Sequence, residues 1–365
     1  MNYEEFYNKI RDISALSAHG SYIGVLVTTM CPVGCSHCLL ACDVSKGRDI
    51  DYDSVLRWLL PDIKFTPVKT ICLTGGEPFF RFKILKHLCK SFSNAGLRTD
   101  IVTSAYWASS ESVAKKVLNP LIKSGISGIS FSSDEFHQEN IPSSYIRNAV
   151  TAAKDAGLNI SISYRSTGSC DNLAAFNFLS NTLGDTISQI SHFTVGGTQP
   201  LGRACHLEQS GIATSEEGPL RLCPAYSLTI FPPDIVFSCC GGYPTDLSPL
   251  VLGHPGDRPF SEVYYQWRNS LISLILEVAG ITQLLKIARD NNLEDDLPND
   301  PDPCDTCSLC KKILSSDERV DLFFKYFNKP ERIRHLAVLK LLTTGDHWPL
   351  LHLNQIGSSV SLLST

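Results

Sequence analysis

The chain is 365 residues long, 43% hydrophobic, and carries a net charge of −5. That length and apolar content suffice for a barrel-sized domain plus a smaller one. The negative balance leaves no basic field with which to hold nucleic acid by its phosphates. Fourteen cysteines are present. The first eleven residues are polar and charged, unlike an export signal. The longest apolar run, 271–279, is too short to span a membrane and contains Glu277. The thiols are therefore expected to stay reduced in the cytoplasm, with no membrane partner, and there clustered cysteines serve metal or redox chemistry rather than disulfides.

A segment of about twenty residues, 1–19, precedes the first strand. From 20 to 200, apolar strand-like runs alternate with helical patterns. Strands are predicted over 22–29, 69–74, 99–104, 128–132, 159–164 and 189–195, and helices over 52–63, 82–94, 110–124, 143–156 and 172–182. Gly96, Gly125 and Gly157 follow helical stretches, as C-terminal stops do. Six strands with intervening helices predict an α/β fold with a parallel sheet closed or partly closed as a barrel, its chemistry at the C-terminal strand ends. A second unit, 201–314, is expected to hold a loop to 222, a hairpin over 226–238 turning at Pro232-Pro233-Asp234, helices over 260–278 and 281–291, and an acidic linker over 293–303. The last unit, 315–365, is expected to be helical over 317–342 with a loosely ordered tail from Gly345.

Directly after the first strand stands Cys31-Pro32-Val33-Gly34-Cys35-Ser36-His37-Cys38, a C-x3-C-x2-C spacing. Three thiolates this close can hold three irons of a cubane [4Fe–4S] cluster, which leaves the fourth iron open for a small molecule, whereas a structural zinc site wants four ligands and closure. Cys42 lacks the ferredoxin spacing and is assigned to packing, as are Cys72, Cys89, Cys170 and Cys205. After the second strand comes Gly75-Gly76-Glu77-Pro78. Its glycines permit close backbone approach to a ligand, and Glu77 offers a carboxylate to an ammonium group.

The pair of motifs resembles the radical S-adenosylmethionine (SAM) superfamily over roughly residues 20–200. The resemblance implies a partial (β/α)6 TIM-like barrel. It makes Cys31, Cys35 and Cys38 ligands of a [4Fe–4S] cluster with an open site. SAM would be bound there with contacts from Gly75, Gly76, Glu77 and Pro78. Ser104 and Ser133, at strand ends, fall where the family contacts ribose or methionine. His37, inside the motif, falls near adenine, and Arg203 of Pro200-Leu201-Gly202-Arg203-Ala204 is a further SAM contact.

Cys223, Cys239, Cys304 and Cys307 could supply four thiolates, with Cys310 able to replace one of the last two; a four-cysteine set would suit zinc as well. The pattern resembles the SPASM and twitch auxiliary modules, which implies one auxiliary [4Fe–4S] cluster. If Cys239 binds it, the adjacent Cys240 is expected to point elsewhere, into the barrel mouth, where a thiol is a good hydrogen-atom donor. The arrangement around Cys223 and Cys239-Cys240, with Ser133-Asp134-Glu135-Phe136-His137, resembles the radical SAM peptide epimerases. That implies Cα hydrogen abstraction from a ribosomally made precursor peptide by a 5′-deoxyadenosyl radical and hydrogen return from Cys240, with a flavodoxin or ferredoxin as electron donor. The family pattern has an acidic residue where this chain has Ser227. Thioether or carbon–carbon crosslinking, epimerisation of an aminoglycoside-type carbon, and a non-catalytic zinc or iron–sulfur scaffold are the competing readings.

Overall fold

A computed structural model describes residues 1–11, 20–167, 171–207, 223, 227–241, 248–298 and 306–356. The sequence-predicted ligand Cys304 lies outside them, as do most of the loop after residue 207 and the linker beyond residue 298. Six parallel strands, β1 (Tyr22–Thr28), β2 (Thr70–Gly75), β3 (Arg98–Thr103), β4 (Gly128–Ser132), β5 (Asn159–Ser166) and β6 (His192–Gly197), pair in chain order. β1 is buried along almost its whole length, as a parallel strand covered on both faces must be. The helices between strands pack outside. They are α2 (Tyr52–Leu59), α3 (Phe82–Asn94), α4 (Glu111–Ile122), the short α5 (Glu135–Gln138), α6 (Ser143–Asp155) and α7 (Asn172–Leu183). On α3 the buried set Leu85, Leu88, Cys89 and Phe92 follows the helical period.

The sheet does not close on itself among the described residues. Beyond β1 it continues through β7 (Thr229–Phe231), parallel to β1, and then the antiparallel β8 (Ile235–Phe237) and β9 (Val251–Gly253). The predicted hairpin is thus the extension of the barrel sheet, and β9, only three residues long, leaves no readable pattern. At the other edge, Arg11 N–H donates to Phe193 O (2.8 Å) and Phe193 N–H to Lys9 O (2.9 Å). This holds α1 (Tyr3–Asn8) against β6 and packs the Phe6 ring, tilted, against Phe193 at 4.6 Å. β6 begins three residues later than predicted because 184–189 form a 3-10 turn.

Three C-terminal expectations are corrected. The helix predicted over 260–278 is two, α8 (Phe260–Arg268) and α9 (Leu271–Val278), because the Ser270 hydroxyl caps a new helix at Ser273 N–H. After α10 (Gly280–Asp290) and α11 (Thr306–Leu314), the region 317–342 splits into α12 (Asp317–Phe327) and α13 (Pro330–Thr344), since Pro330 starts a helix but cannot continue one. The tail is ordered to residue 356: buried Asp346 accepts from Arg268 at 2.8 and 3.1 Å, and Trp348, opening α14 (Trp348–Leu351), stacks on Tyr265. Among the described residues no single helix is long and apolar enough to cross a membrane, and the most apolar, α9, is packed in the core.

Phe193 is fully buried between α1 and the barrel. Phe193→Ala is expected to cost about 3–5 kcal/mol, as large-to-small core changes do, read as a lowered urea midpoint.

Candidate active site

β1 and β2 pair in parallel with Leu26 beside Thr74 and Thr28 beside Gly75. Their C-terminal turns are therefore spliced together: Gly76 N–H donates to Thr28 O (2.7 Å) and Glu77 N–H to Met30 O (2.9 Å). A Cβ on Gly75 would lie 2.3 Å from Thr28 O, and one on Gly76 only 2.2 Å from Met30 O. The two glycines are needed against the backbone that leads into Cys31, in addition to facing the cavity.

Glu77 differs from the expectation. It is 1% exposed, and its carboxylate points inward, accepting from Thr103 Oγ1 (2.8 Å), Ser104 N–H (2.9 Å), Ser104 Oγ (2.5 Å) and Phe79 N–H (3.1 Å). Burial raises its pKa, and those hydrogen bonds oppose the rise. It ties the end of β2 to the end of β3 and fixes Ser104. Pro78 is buried beside it. The surfaces offered to the cavity are Thr74, Gly75, Gly76 and Ser104. On β4 the cavity residue is Ser132, while Ser133 is fully buried.

The cavity encloses about 810 Å³ and is walled by Cys31, Cys35, Cys38, His37, Arg165, Arg203 and Cys240, among others. Burial pushes Cys31 up to about 12, whereas Cys38 is drawn down to about 6, first by its hydrogen bond with Cys42. Cys42 is therefore part of the cavity wall rather than remote packing, its N–H lying 3.4 Å from Cys38 Sγ. Arg203 is a clamp on this loop. Its Nε donates to Cys35 O (2.8 Å) and its Nη1 to Cys42 O (2.9 Å), and its own N–H donates to Cys38 O (3.0 Å). The preceding Gly202, at φ +57°, has carbonyl oxygens of Cys38 and Leu39 where a Cβ would stand. His37 stacks on Phe136 at 4.5 Å, and burial lowers it to about 4.

A second group of thiols lies beside the cavity. Cys307 and Cys310 share one face of the first turn of α11. Both are pushed up, first by burial and then by Cys223 and Cys239. Gly241 N–H approaches Cys239 Sγ at 3.3 Å, and Cys223 is anchored through its N–H to Leu276 O of α9. Cys310 thus joins Cys223, Cys239 and Cys307. Cys240 lines the cavity, as Cys307 does, and stays within electrostatic reach of Cys223, Cys239 and Cys307. Its thiol is solvent-reachable, yet burial by the walls pushes it up to about 12, so it keeps its hydrogen at neutral pH. Ser227 is buried and hydrogen-bonded to Thr229 (3.2 Å).

The family model of the Radical SAM superfamily matches residues 25–169. The chain carries a radical SAM domain. Over 316 residues it is 20% identical to YydG of Bacillus subtilis (strain 168), whose name assigns that protein to peptide biosynthesis; the alignment covers 84% of this chain and 96% of YydG. Among solved structures it is similar to anSMEcpe with bound AdoMet and a Cp18Cys peptide (TM-score 0.46, 16% identity, 86% of this chain and 99% of that one). It is also similar to BtrN in complex with AdoMet and 2-DOIA (TM-score 0.41, 13% identity, 72% and 89%).

A radical SAM domain implies a [4Fe–4S] cluster and SAM, and the donor sets fit clusters better than single ions. A zinc ion bonded at about 2.3 Å draws its sulfurs to within about 3.8 Å of each other. Among the described residues the one group of three candidate ligands whose atoms all lie within 4.8 Å is Cys35, His37 and His137. The thiols of neither cysteine set close to that distance. Buried thiols of raised pKa also need a cationic group between them to become thiolates together.

Sequence reasoning passed over Arg165, at the C-terminal end of β5, whose guanidinium lies where a Cβ on Gly196 would meet it. Its position near the end of a barrel strand was the available signal. It also named His137 only as part of a motif.

Two outcomes test this geometry. Gly76→Ala forces its Cβ into the Met30 carbonyl, and the anaerobically reconstituted protein is expected to lose most of the iron held at the first cysteine set. Arg203→Ala is expected to weaken iron retention while far-UV circular dichroism stays unchanged. Arg203→Lys should not rescue it, because an ammonium cannot reproduce two diverging guanidinium hydrogen bonds.

Proposed function

We propose that the chain is a radical SAM enzyme that modifies a peptide, converting an L-residue to its D-form. Cys31, Cys35 and Cys38 hold the cluster, and Gly75, Gly76, Ser104 and Ser132 line the SAM subsite, with Glu77 fixing Ser104 from behind. When bound, these groups supply one-electron cleavage of SAM and a radical that abstracts hydrogen. The chain's own residues then position the substrate and exclude water.

The observation that carries the reading is the placement of Cys240. It lines the cavity, as Cys307 does, it retains its proton, and it adjoins Cys239, which is not among the lining residues. A planar Cα radical stabilised by its flanking amides takes a hydrogen atom from Cys240 on the face opposite abstraction: the S–H bond breaks and a Cα–H bond of inverted configuration forms. One electron and one proton restore the thiol. Cys223, Cys239, Cys307 and Cys310, proposed to hold the auxiliary cluster, stand next to the sulfur that must be restored. The 810 Å³ cavity lies in the upper part of the range for small-ligand sites, about 300–1,000 Å³. It can therefore take the cofactor and a short stretch of substrate at a time. The likeness to YydG along most of both chains supports a peptide as that substrate.

Cys240→Ala is expected to retain reductive SAM cleavage but to form less than about one-hundredth of the D-product. The check is anaerobic turnover of a candidate precursor peptide, followed by chiral amino-acid analysis. Turnover in D2O should install deuterium at Cα with the product otherwise unchanged in mass. Loss of hydrogen from the product instead marks crosslinking, and the absence of SAM cleavage marks a scaffold.

A further inference from the structure

The loop that follows β6 touches both cysteine sets. It is pinned to the end of β5 by Thr198, whose N–H (2.8 Å) and Oγ1 (3.1 Å) both donate to Ser166 O. At its far end Arg203 holds the carbonyls of Cys35, Cys38 and Cys42. At its near end Gln199 Oε1 accepts from the backbone N–H of Cys307 (3.1 Å). A backbone N–H can only donate, so the Gln199 amide has to present its oxygen there. Cys307 is the second residue of α11, and its N–H is one of the first-turn donors that a helix leaves unsatisfied. Gln199 thus does from across the fold what a local N-cap side chain does elsewhere. The stretch between the two ends is short and stiff: Leu201 N–H donates to Gln199 O (2.7 Å), Ala204 N–H donates to Leu201 O (3.0 Å), and Pro200 has a fixed φ.

The opposite end of α11 is held independently. Arg319, 4% exposed, donates from Nε to Ile313 O (3.1 Å) and from Nη2 to Lys312 O (2.7 Å). Gln199 therefore governs the cysteine-bearing turn of α11 and not the helix as a whole. We propose that Gln199 is a positioning residue for Cys307, and that the segment Gln199–Arg203 braces the two cysteine sets against each other. This deepens the proposed function and rests on Cys223, Cys239, Cys307 and Cys310 holding a cluster. The spacing between the two centres is then set by one short stretch of chain anchored on β5, because the same segment that closes the loop of Cys35 and Cys38 also caps the turn of Cys307.

The test uses the full chain, anaerobically reconstituted, reduced and exposed to an iron chelator. Two electron paramagnetic resonance signals are followed, the one that changes when SAM is added and the one that does not. Gln199→Met keeps the length of the side chain and removes the amide oxygen. It is expected to speed loss of the SAM-insensitive signal about tenfold, the factor one hydrogen bond is worth, while the SAM-sensitive signal decays at the wild-type rate. Gln199→Glu, which keeps an oxygen in that place, should decay as wild type does. Amide hydrogen exchange in the first turn of α11 gives a readout that needs no cluster: it should quicken in Gln199→Met and not in Gln199→Glu. Unchanged decay and exchange in Gln199→Met overturn the inference, as does equal acceleration of both signals; Gln199→Ala takes its place if the methionine variant fails to fold. Cys307→Ala separates the two levels: if the SAM-insensitive signal survives in it unaltered, the ligand assignment is what fails.

Discussion

The site depends on the splice between the ends of β1 and β2. Strand pairing brings the turn at 28–30 beside the turn at 75–77, and the second donates two backbone hydrogen bonds to carbonyls of the first at distances where no Cβ fits. Parallel pairing alone would leave these ends as independent loops. The glycine pair turns them into one rigid unit, and Glu77, spending its buried carboxylate on Thr103, Ser104 and Phe79, extends that unit to β3. A carboxylate in so dry a position is tolerable because four donors satisfy it. The cysteine loop is thereby carried on the stiffest part of the sheet, and Arg203 closes it from the far side by holding carbonyls that its own turn leaves open.

Charge organises the cavity differently from the surface. The protein is acidic overall, yet the titratable wall residues other than cysteine are Arg11, Arg165, Arg203, His37 and His137, with no carboxylate among the described lining residues. Such a wall offsets the negative charge that thiolates bring. Asp134 and Glu77 are both buried behind the wall, each accepting hydrogen bonds there. Arg165, within electrostatic reach of both His37 and Cys240, sits between the two proposed halves of the chemistry.

Much of this was legible in the sequence. The apolar runs that became β1 to β5 are long enough, and bounded clearly enough by glycine, to fix strand order and the end of the sheet at which the motifs meet. Ser132 against Ser133 was legible in principle, because Ile129 and Phe131 set the parity of β4 and place Ser132 on the opposite, cavity-facing side. What could not be read is contact across the fold. No local pattern says that the Glu77 carboxylate is consumed by β3, that the hairpin continues the barrel sheet beyond β1, or that Cys42 bonds to Cys38. The breaks at Ser270 and Pro330 were visible as residues, but the apolar period runs through both and masked them.

The doublet Cys239-Cys240 shows how the sheet extension bears on the proposed chemistry. The two adjacent thiols follow the end of β8 at Phe237, and of the pair only Cys240 lines the cavity. Because β7 pairs with β1 and β8 follows it, that strand end is held against the radical SAM domain itself, with Cys239 turned toward Cys307 and Cys240 toward the cavity. A hairpin in a separately folded module could satisfy its own cysteines without placing anything in the barrel. One joined through backbone hydrogen bonds to β1 fixes the proposed donor relative to Cys31, Cys35 and Cys38 by the register of a single sheet.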